Sequence, residues 1–184
     1  MPKFKIILLV IIYTINLLSI PLEDTFEENG IIYVKEKTKQ QIRTEKANKL
    51  LKITKLAKKN NIEAQWKLVN IYSNGSELTP PIFKKKLKWL KELSKNKDEV
   101  AQFQLAELYF MGYSWQLKHN FIKSLHWYKK AATQNNTIAM IKIANFYYYG
   151  IGVKKNLHEA KKWYMKAKHE GDDNANFFLN KFKT

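Results

Sequence analysis

Four histidines are the side chains best suited to hold a metal ion or to transfer a proton, because imidazole does both near neutral pH. They occupy positions that do not recur along the chain: His119, His126, His158 and His169. A metal site on one helix needs two ligands four residues apart, and no pair of histidines has this spacing. The HExxH motif is also missing from the sequence. The sequence therefore predicts no metal site.

The other patterns that support catalysis are equally weak. Gly150-x-Gly152 lies between two predicted helices and not after a strand, which is typical of a turn and not of a phosphate loop. The acidic pairs fall in a predicted linker or at the start of a predicted helix, where no pocket gathers them: Glu23-Asp24, Glu27-Glu28 and Asp172-Asp173. The chain contains no cysteine, so a thiol nucleophile is excluded. We expect neither an enzyme nor a cofactor.

Internal repetition is the strongest pattern in the sequence. An alanine, which we number position 0, is followed by an aliphatic residue at position 4, a tyrosine at position 8 and a glycine at position 11. Three segments share it: Ala64-Leu68-Tyr72-Gly75, Ala101-Leu105-Tyr109-Gly112 and Ala139-Ile143-Tyr147-Gly150. This spacing predicts one apolar helix face that ends at the glycine. The alanines lie 37 and 38 residues apart, and Ala175 begins a fourth copy 36 residues later, with Leu179 at position 4.

A second apolar stripe follows each glycine after 13 to 15 residues. It consists of a tryptophan and, four residues later, a leucine or alanine: Trp89 and Leu93, Trp127 and Ala131, Trp163 and Ala167. Each repeat is therefore predicted to be two helices joined by a glycine turn, and stacking of the repeats buries both stripes. The predicted fold class is all-α, a right-handed solenoid of antiparallel helix pairs. Repeated tryptophans can stack on nucleic-acid bases, but their fixed repeat position predicts core packing.

Capping residues mark the predicted helix starts. Three residues before each repeat alanine stands an Asn or Asp, whose side chain accepts hydrogen bonds from a first helical turn: Asn61, Asp98, Asn136 and Asp172. Thr38-x-x-Gln41 predicts a capping box at an earlier helix. We therefore divide the chain into an N-terminal capping helix at 38–60 and, at 61–184, three repeats plus a C-terminal capping helix.

The N-terminus has the pattern of a secretory signal. A short basic start, Met1–Lys5, precedes a largely apolar run at Ile6–Leu18. The run is shorter than the ~20 residues of a comfortable membrane-spanning helix. We expect residues 1–22 to direct export to the periplasm or the medium, or to tether the protein to a membrane if they are not cleaved. Residues 23–37 are predicted to be a linker, in which Ile31–Val34 resembles a strand but has no evident partner.

The repeats resemble the Sel1-like repeat, a short relative of the tetratricopeptide repeat. The third unit carries the resemblance most fully, through its apolar stripe and the following residues: Gly150-x-Gly152-Val153, Ala160, Trp163-Tyr164, Lys166-Ala167 and Gly171. The second unit matches well and the first is degenerate, so the resemblance covers about residues 45–180. Units one and two lack the second glycine and the valine of the turn, which leaves their loop conformation open. The resemblance implies a scaffold or adaptor, and exported bacterial members include immunity proteins against toxins.

The formal charge of +17 favours anionic partners. A solvated basic surface also accounts for it, because lysines occur along most of the chain. The densest run is Lys84-Lys85-Lys86-x-Lys88. An exported protein rarely meets nucleic acid, so an anionic membrane or an envelope polymer is the ligand that such a surface predicts. The alternative function is therefore an envelope-associated structural protein.

The favoured function is a protein–protein interaction scaffold. An immunity protein against a secreted toxin is the specific hypothesis within this class. In each first helix, positions 2, 6 and 9 point away from the stripe at 0, 4 and 8. These positions hold aromatic and amide side chains, which are common in protein interfaces. The predicted partner-binding residues are Trp66, Asn70, Phe103, Glu107, Phe110, Ile141, Asn145 and Tyr148. Packing between neighbouring repeats is the competing role for some of them.

Overall fold

The computed structural model describes residues 25–28, 31–34, 37–75, 81–113 and 116–182. These residues belong to two compact units, Met1–Lys49 and Leu50–Thr184. The predicted export signal, residues 1–22, lies outside the described residues. Among the described helices, none combines the length and apolar character needed to cross a membrane.

The first unit contains a short antiparallel hairpin. Strand β1 (Thr25–Glu28) pairs with strand β2 (Ile31–Val34), so that Thr25 lies opposite Val34. The predicted linker thus includes two strands, and the partner that the sequence did not reveal for Ile31–Val34 is the acidic segment just before it. Segments as short as four residues carry too little alternation of polar and apolar residues to reveal a strand.

Helix α1 covers Lys39–Lys58 and continues into the second unit. It begins at the predicted capping box. The Thr38 amide donates to Gln41 Oε1 at 2.8 Å, and the Gln41 amide donates to Thr38 Oγ1 at 3.2 Å. The two residues satisfy amides that the first helical turn leaves without partners.

The second unit is an all-α repeat solenoid, as predicted. Its helices are α2 (Ile62–Asn74), α3 (Phe83–Lys95), α4 (Glu99–Met111), α5 (Phe121–Ala132), α6 (Thr137–Tyr149), α7 (Leu157–His169) and α8 (Asn174–Asn180). Each helix packs against the next in the chain. We call α2, α4 and α6 the A helices, and α3, α5 and α7 the B helices. Each A helix with the B helix that follows forms one repeat.

The predicted stripes form the core of the repeats. All four alanines at position 0 and all three aliphatic residues at position 4 of the A helices are buried. The residues that follow the repeat tryptophans by four positions are fully buried as well: Leu93, Ala131 and Ala167. Trp89 is buried, whereas Trp127 and Trp163 are half-buried against the core. The tryptophans therefore pack in the repeats, as their fixed spacing predicts.

The caps of the three A helices are confirmed. Asn61, Asp98 and Asn136 accept hydrogen bonds from the amides of the repeat alanines at 2.7, 2.8 and 2.6 Å. The fourth capping residue uses a different amide. Helix α8 starts at Asn174, and the Asp172 carboxylate accepts from the amide of that first residue at 3.0 Å and not from that of the repeat alanine Ala175.

Every junction between repeats contains one residue with left-handed backbone, four residues before a repeat alanine. These residues are Asn60, Lys97, Asn135 and Gly171, with φ of 61°, 62°, 64° and 93°. A left-handed residue ends a helix by turning the chain so that its last carbonyls are satisfied. Glycine and asparagine adopt this conformation readily, whereas lysine does so at a cost.

The turns inside the repeats differ between units, where the sequence left their conformation open. Gly75 and Gly112 both have φ near +74° with extended ψ, at (75°, −179°) and (73°, −176°). Gly150 is instead left-handed, at (73°, 36°), and is followed by the second glycine that units one and two lack. The first two turns therefore use a conformation open essentially to glycine alone.

Replacing Gly112 by alanine should destabilise the protein strongly. A Cβ atom at this position would lie 2.9 Å from the Leu117 carbonyl oxygen and 3.0 Å from the His119 nitrogen. We expect Gly112→Ala to lower the free energy of unfolding by about 3 kcal/mol. The control Gly171→Ala meets no atom within 4 Å and should cost only about 1 kcal/mol. Urea unfolding followed by circular dichroism measures both, and equal losses would contradict the backbone clash.

Lys97→Asn should stabilise the protein. Lys97 holds a left-handed position that asparagine occupies at two of the other three junctions. We expect a gain of roughly 0.5 kcal/mol, part of the ~1 kcal/mol that this backbone costs an ordinary side chain. Lys91→Asn, in the middle of α3, is the matched control and should destabilise slightly because asparagine is a poorer helix former. Thermal unfolding measures both variants. If Lys97→Asn melts below the parent protein, as the control should, then the left-handed backbone at position 97 does not limit stability.

Candidate protein-binding surface

The A helices bury a wider arc than one apolar stripe. Besides positions 0 and 4, positions 1 and 5 are buried in all three repeats: Gln65 and Val69, Gln102 and Ala106, Met140 and Ala144. Gln65 and Gln102 donate from Nε2 to the carbonyls of Ala57 and Ser94, at the end of the preceding helix, at 3.0 and 3.1 Å. Each A helix therefore packs on two flanks, which leaves a narrow outward arc.

The outward arc consists of positions −1, 3, 6 and 10, since one residue turns a helix by 100°. We call these twelve residues the helix-A face: Glu63, Lys67, Asn70, Asn74, Val100, Gln104, Glu107, Met111, Ile138, Lys142, Asn145 and Tyr149. Each of them is exposed or half-exposed. The two lysines balance the two glutamates, so the face has no net charge.

The predicted binding residues divide into two groups. Asn70, Glu107 and Asn145, at position 6, lie on the helix-A face. The five large side chains at positions 2 and 9 are half-buried beside it: Trp66, Phe103, Phe110, Ile141 and Tyr148.

Contacts within the protein account for part of the burial of these five side chains. Trp66 Nε1 donates to Asp98 Oδ2, at the cap of the next A helix, at 2.9 Å. The Phe103 ring packs on Tyr128 with centroids 5.7 Å apart. Phe110 contacts Phe146 of the next A helix, also at 5.7 Å between centroids. Packing between repeats therefore uses a share of the surface that the sequence assigned to a partner.

Two polar residues of the face are fixed by tyrosines of their own repeat. The Tyr128 hydroxyl donates to Glu107 Oε1, which also pairs with Lys142 Nζ at 2.9 Å. The Tyr164 hydroxyl donates to Asn145 Oδ1 at 2.6 Å. Burial raises the pKa of both tyrosines, and the Glu107 carboxylate raises that of Tyr128 further. The hydroxyls therefore stay protonated and hold the acceptors in place.

The first repeat lacks this tie and has an open groove instead. Leu90 stands where the other B helices have tyrosine, and it cannot donate a hydrogen bond to Asn70. Asn70 is exposed, and its Oδ1 accepts from Asn74 Nδ2 at 3.3 Å. The groove has a volume of about 430 Å³ and is lined by Glu63, Trp66, Lys67, Val69, Asn70, Ser73 and Gln104. Two of the predicted binding residues, Trp66 and Asn70, thus share one groove.

Four apolar residues of the face were not predicted. Val100 and Ile138 at position −1 are 50% and 54% exposed, and Met111 and Tyr149 at position 10 are 66% and 59% exposed. The sequence argument took the side opposite the stripe at 0, 4 and 8. Burial of positions 1 and 5 turns the true outward direction by roughly 60°. The sequence did contain a signal for these four residues, because the second and third repeats both hold large apolar side chains at positions −1 and 10.

The described part of the chain contains no group of three or more His, Asp or Glu side chains placed to hold a metal ion. The polar groups of the helix-A face are amides, the Tyr149 hydroxyl and two glutamate–lysine ion pairs, Glu63–Lys67 and Glu107–Lys142. They suit hydrogen bonding to a partner, and no nucleophile lies beside a base among them.

Comparison with known proteins identifies the repeats. The Sel1 repeat family model matches residues 100–136 and 137–172, which are the second and third repeats. No curated protein matches the sequence. Among solved structures, a Sel1 repeat protein from Oxalobacter formigenes is similar, with 27% identity and a TM-score of 0.61 over 72% of this chain and 53% of that one.

Two further structures share the fold. The protective antigen c5321 of uropathogenic Escherichia coli has a TM-score of 0.61 and 23% identity over 69% of this chain. Helicobacter pylori cysteine rich protein B has a TM-score of 0.50 and 23% identity over 65% of this chain and 97% of its own. The present chain spans about half of the Oxalobacter protein and 27% of c5321. It has no cysteine, so no disulfide accompanies its likeness to the third. The chain therefore contains two Sel1 repeats, at residues 100–136 and 137–172, in a helical solenoid similar to that of solved Sel1 repeat proteins.

Proposed function

We propose that this chain is a non-enzymatic scaffold that binds a partner protein through the helix-A face. Sel1 repeats mediate protein–protein interactions in general. The observation that carries the assignment to this face is the pair of exposed apolar rows, Val100 with Ile138 and Met111 with Tyr149. These large apolar side chains recur on adjacent repeats and leave at least half of their surface exposed, which a partner would cover.

The polar centre of the face supports the same proposal. Glu107, Lys142 and Asn145 lie at positions between the two apolar rows, and Glu107 and Asn145 are held by buried tyrosines. Side chains that are already fixed lose little conformational entropy when a partner binds them. An apolar contact on each side of a fixed polar row would give both affinity and orientation.

Removing the apolar row at position 10 should abolish partner capture. We expect Met111→Ser with Tyr149→Ser to reduce the yield of the bound protein at least about tenfold, because a few large side chains that a partner buries carry most of an interface's binding energy. Affinity capture from the native host with quantitative mass spectrometry compares the variant with the parent chain. Binding to the purified partner, measured by calorimetry, then shows whether the contact is direct.

The matched control for this experiment is Lys88→Gln with Lys91→Gln, two exposed changes on helix α3. This variant should capture the partner as the parent chain does. Circular dichroism should show equal helix content in all three proteins, since none of the changed residues is buried. A partner retained by the serine variant and lost by the glutamine variant would refute the helix-A face as its binding site.

An immunity protein against a secreted toxin is the more specific form of this function. The resemblance to exported family members supports it, and it requires a tight complex with one toxin in a one-to-one ratio. The same capture experiment addresses it, since a toxin at matched stoichiometry is the expected dominant protein. A mixture of unrelated proteins, each below that ratio, would favour a general adaptor.

Export by residues 1–22 is part of the proposal, on the strength of the basic start and the apolar run that follows it. We expect Leu9→Asp to keep the protein inside the cell, because a charge interrupts the run that the export machinery recognises. Asn29→Asp lies beyond the run and is the control. Immunoblots of cell fractions measure the distribution, and equal export of the two variants would show that the run is not a signal.

A further inference from the structure

The B helices also present one outward row, at positions −5, −1, 2 and 6 from the repeat tryptophan. These twelve residues are exposed in every repeat. We call them the helix-B stripe: Lys84, Lys88, Lys91, Lys95, Ile122, His126, Lys129, Thr133, His158, Lys162, Met165 and His169. The spacing of three or four residues places them along one side of each helix.

The positive charge of the A and B helices is concentrated on the B helices. The helix-B stripe holds six lysines and three histidines and no acidic residue. The three B helices together contain thirteen lysines and two glutamates, a net charge of +11, whereas the three A helices contain two lysines and three glutamates, a net charge of −1. In the repeats, the lysines are therefore not spread evenly over the helix faces.

Acidic side chains of the B helices neutralise little of this charge. Lys95 and Lys162 pair with Glu92 and Glu159 at 3.1 and 2.9 Å, and these are the only two glutamates of the B helices. Lys129 donates to the neutral Tyr147 hydroxyl at 3.0 Å. Since eleven of the thirteen lysines have no glutamate on their own helices to balance them, the stripe attracts anions strongly.

Two large apolar side chains lie within the basic stripe. Ile122 is 73% exposed and Met165 is 55% exposed, and lysines of the stripe occupy the corresponding positions of α3. A soluble polyanion would leave both apolar side chains in water. An anionic bilayer satisfies both chemistries, because its headgroups bind lysine and its interface accepts short apolar side chains.

We propose that the helix-B stripe docks on the surface of an anionic lipid bilayer. The lysines contact phosphate headgroups, and Ile122 and Met165 enter the interface between headgroups and acyl chains. This surface shares no residue with the helix-A face, so the proposal is independent of the partner protein. One chain could then hold a bound protein beside a membrane.

The test measures binding of the full chain to vesicles containing about one-third phosphatidylglycerol, with pure phosphatidylcholine vesicles for comparison. Replacing Lys88, Lys91, Lys129 and Lys162 by glutamine should weaken binding to the anionic vesicles at least about 50-fold, because each lysine near such a surface contributes severalfold. The helix-A variant with Met111→Ser and Tyr149→Ser should bind as the parent does. Equal binding by the glutamine variant would overturn the proposal, since any remaining affinity would arise elsewhere in the chain.

A second variant separates a bilayer from a soluble polyanion. Ile122→Ser with Met165→Ser should weaken vesicle binding about tenfold, while leaving binding to soluble polyphosphate unchanged. If the serine variant binds vesicles as well as the parent, the apolar side chains do not enter the interface and the stripe is a polyanion site. Circular dichroism checks that both variants remain helical, which exposed substitutions should permit.

Discussion

The repeats depend on the alanine at position 0 of each A helix, which meets two requirements at once. Ala64, Ala101 and Ala139 are at most 4% exposed, and their amides donate to the capping side chains at 2.6–2.8 Å. A larger side chain would separate the helices, and a shifted helix would lose its cap. Because the cap follows the left-handed junction residue by one position, the start of each helix and the turn from the preceding repeat are fixed together.

This constraint explains which parts of the structure the sequence could predict. The alanines, the position 4 residues and the caps of three helices recur at fixed spacing, so the helix pairs followed from the sequence. The geometry at Asp172 differs from the pattern, because α8 starts at Asn174 and the Asp172 carboxylate accepts from that amide and not from the amide of Ala175. The hairpin of Thr25–Val34 was missed because four-residue strands give no periodic signal. The predicted binding face was rotated relative to the observed helix-A face, because the sequence shows only one apolar stripe. Burial on the second flank depends on contacts with the neighbouring helices.

Packing on two flanks determines which positions of each helix remain exposed to a ligand. Each A helix packs against the helix before it and the B helix after it, so few of its positions remain outward. These positions hold the balanced charges and apolar rows of the helix-A face. The three B helices carry thirteen of the fifteen lysines of the A and B helices, and six of these lie on the helix-B stripe. Apart from Glu107 and Asn145, which accept hydrogen bonds from buried tyrosines, a repeat protein can vary these outward positions without changing the core. Two surfaces of different chemistry are therefore compatible with one fold.

The first repeat shows how a change in the core alters the surface. In the other repeats a B-helix tyrosine binds the residue at position 6, so that Glu107 and Asn145 are half-buried. Leu90 fills the same space in the first repeat but cannot donate a hydrogen bond, which frees Asn70 to line the groove beside Trp66. An exposed amide beside half-buried indole is suited to bind a polar backbone and an apolar side chain together. The groove thus lies on the repeat that departs furthest from the family pattern, where the residue at position 6 has no tyrosine partner.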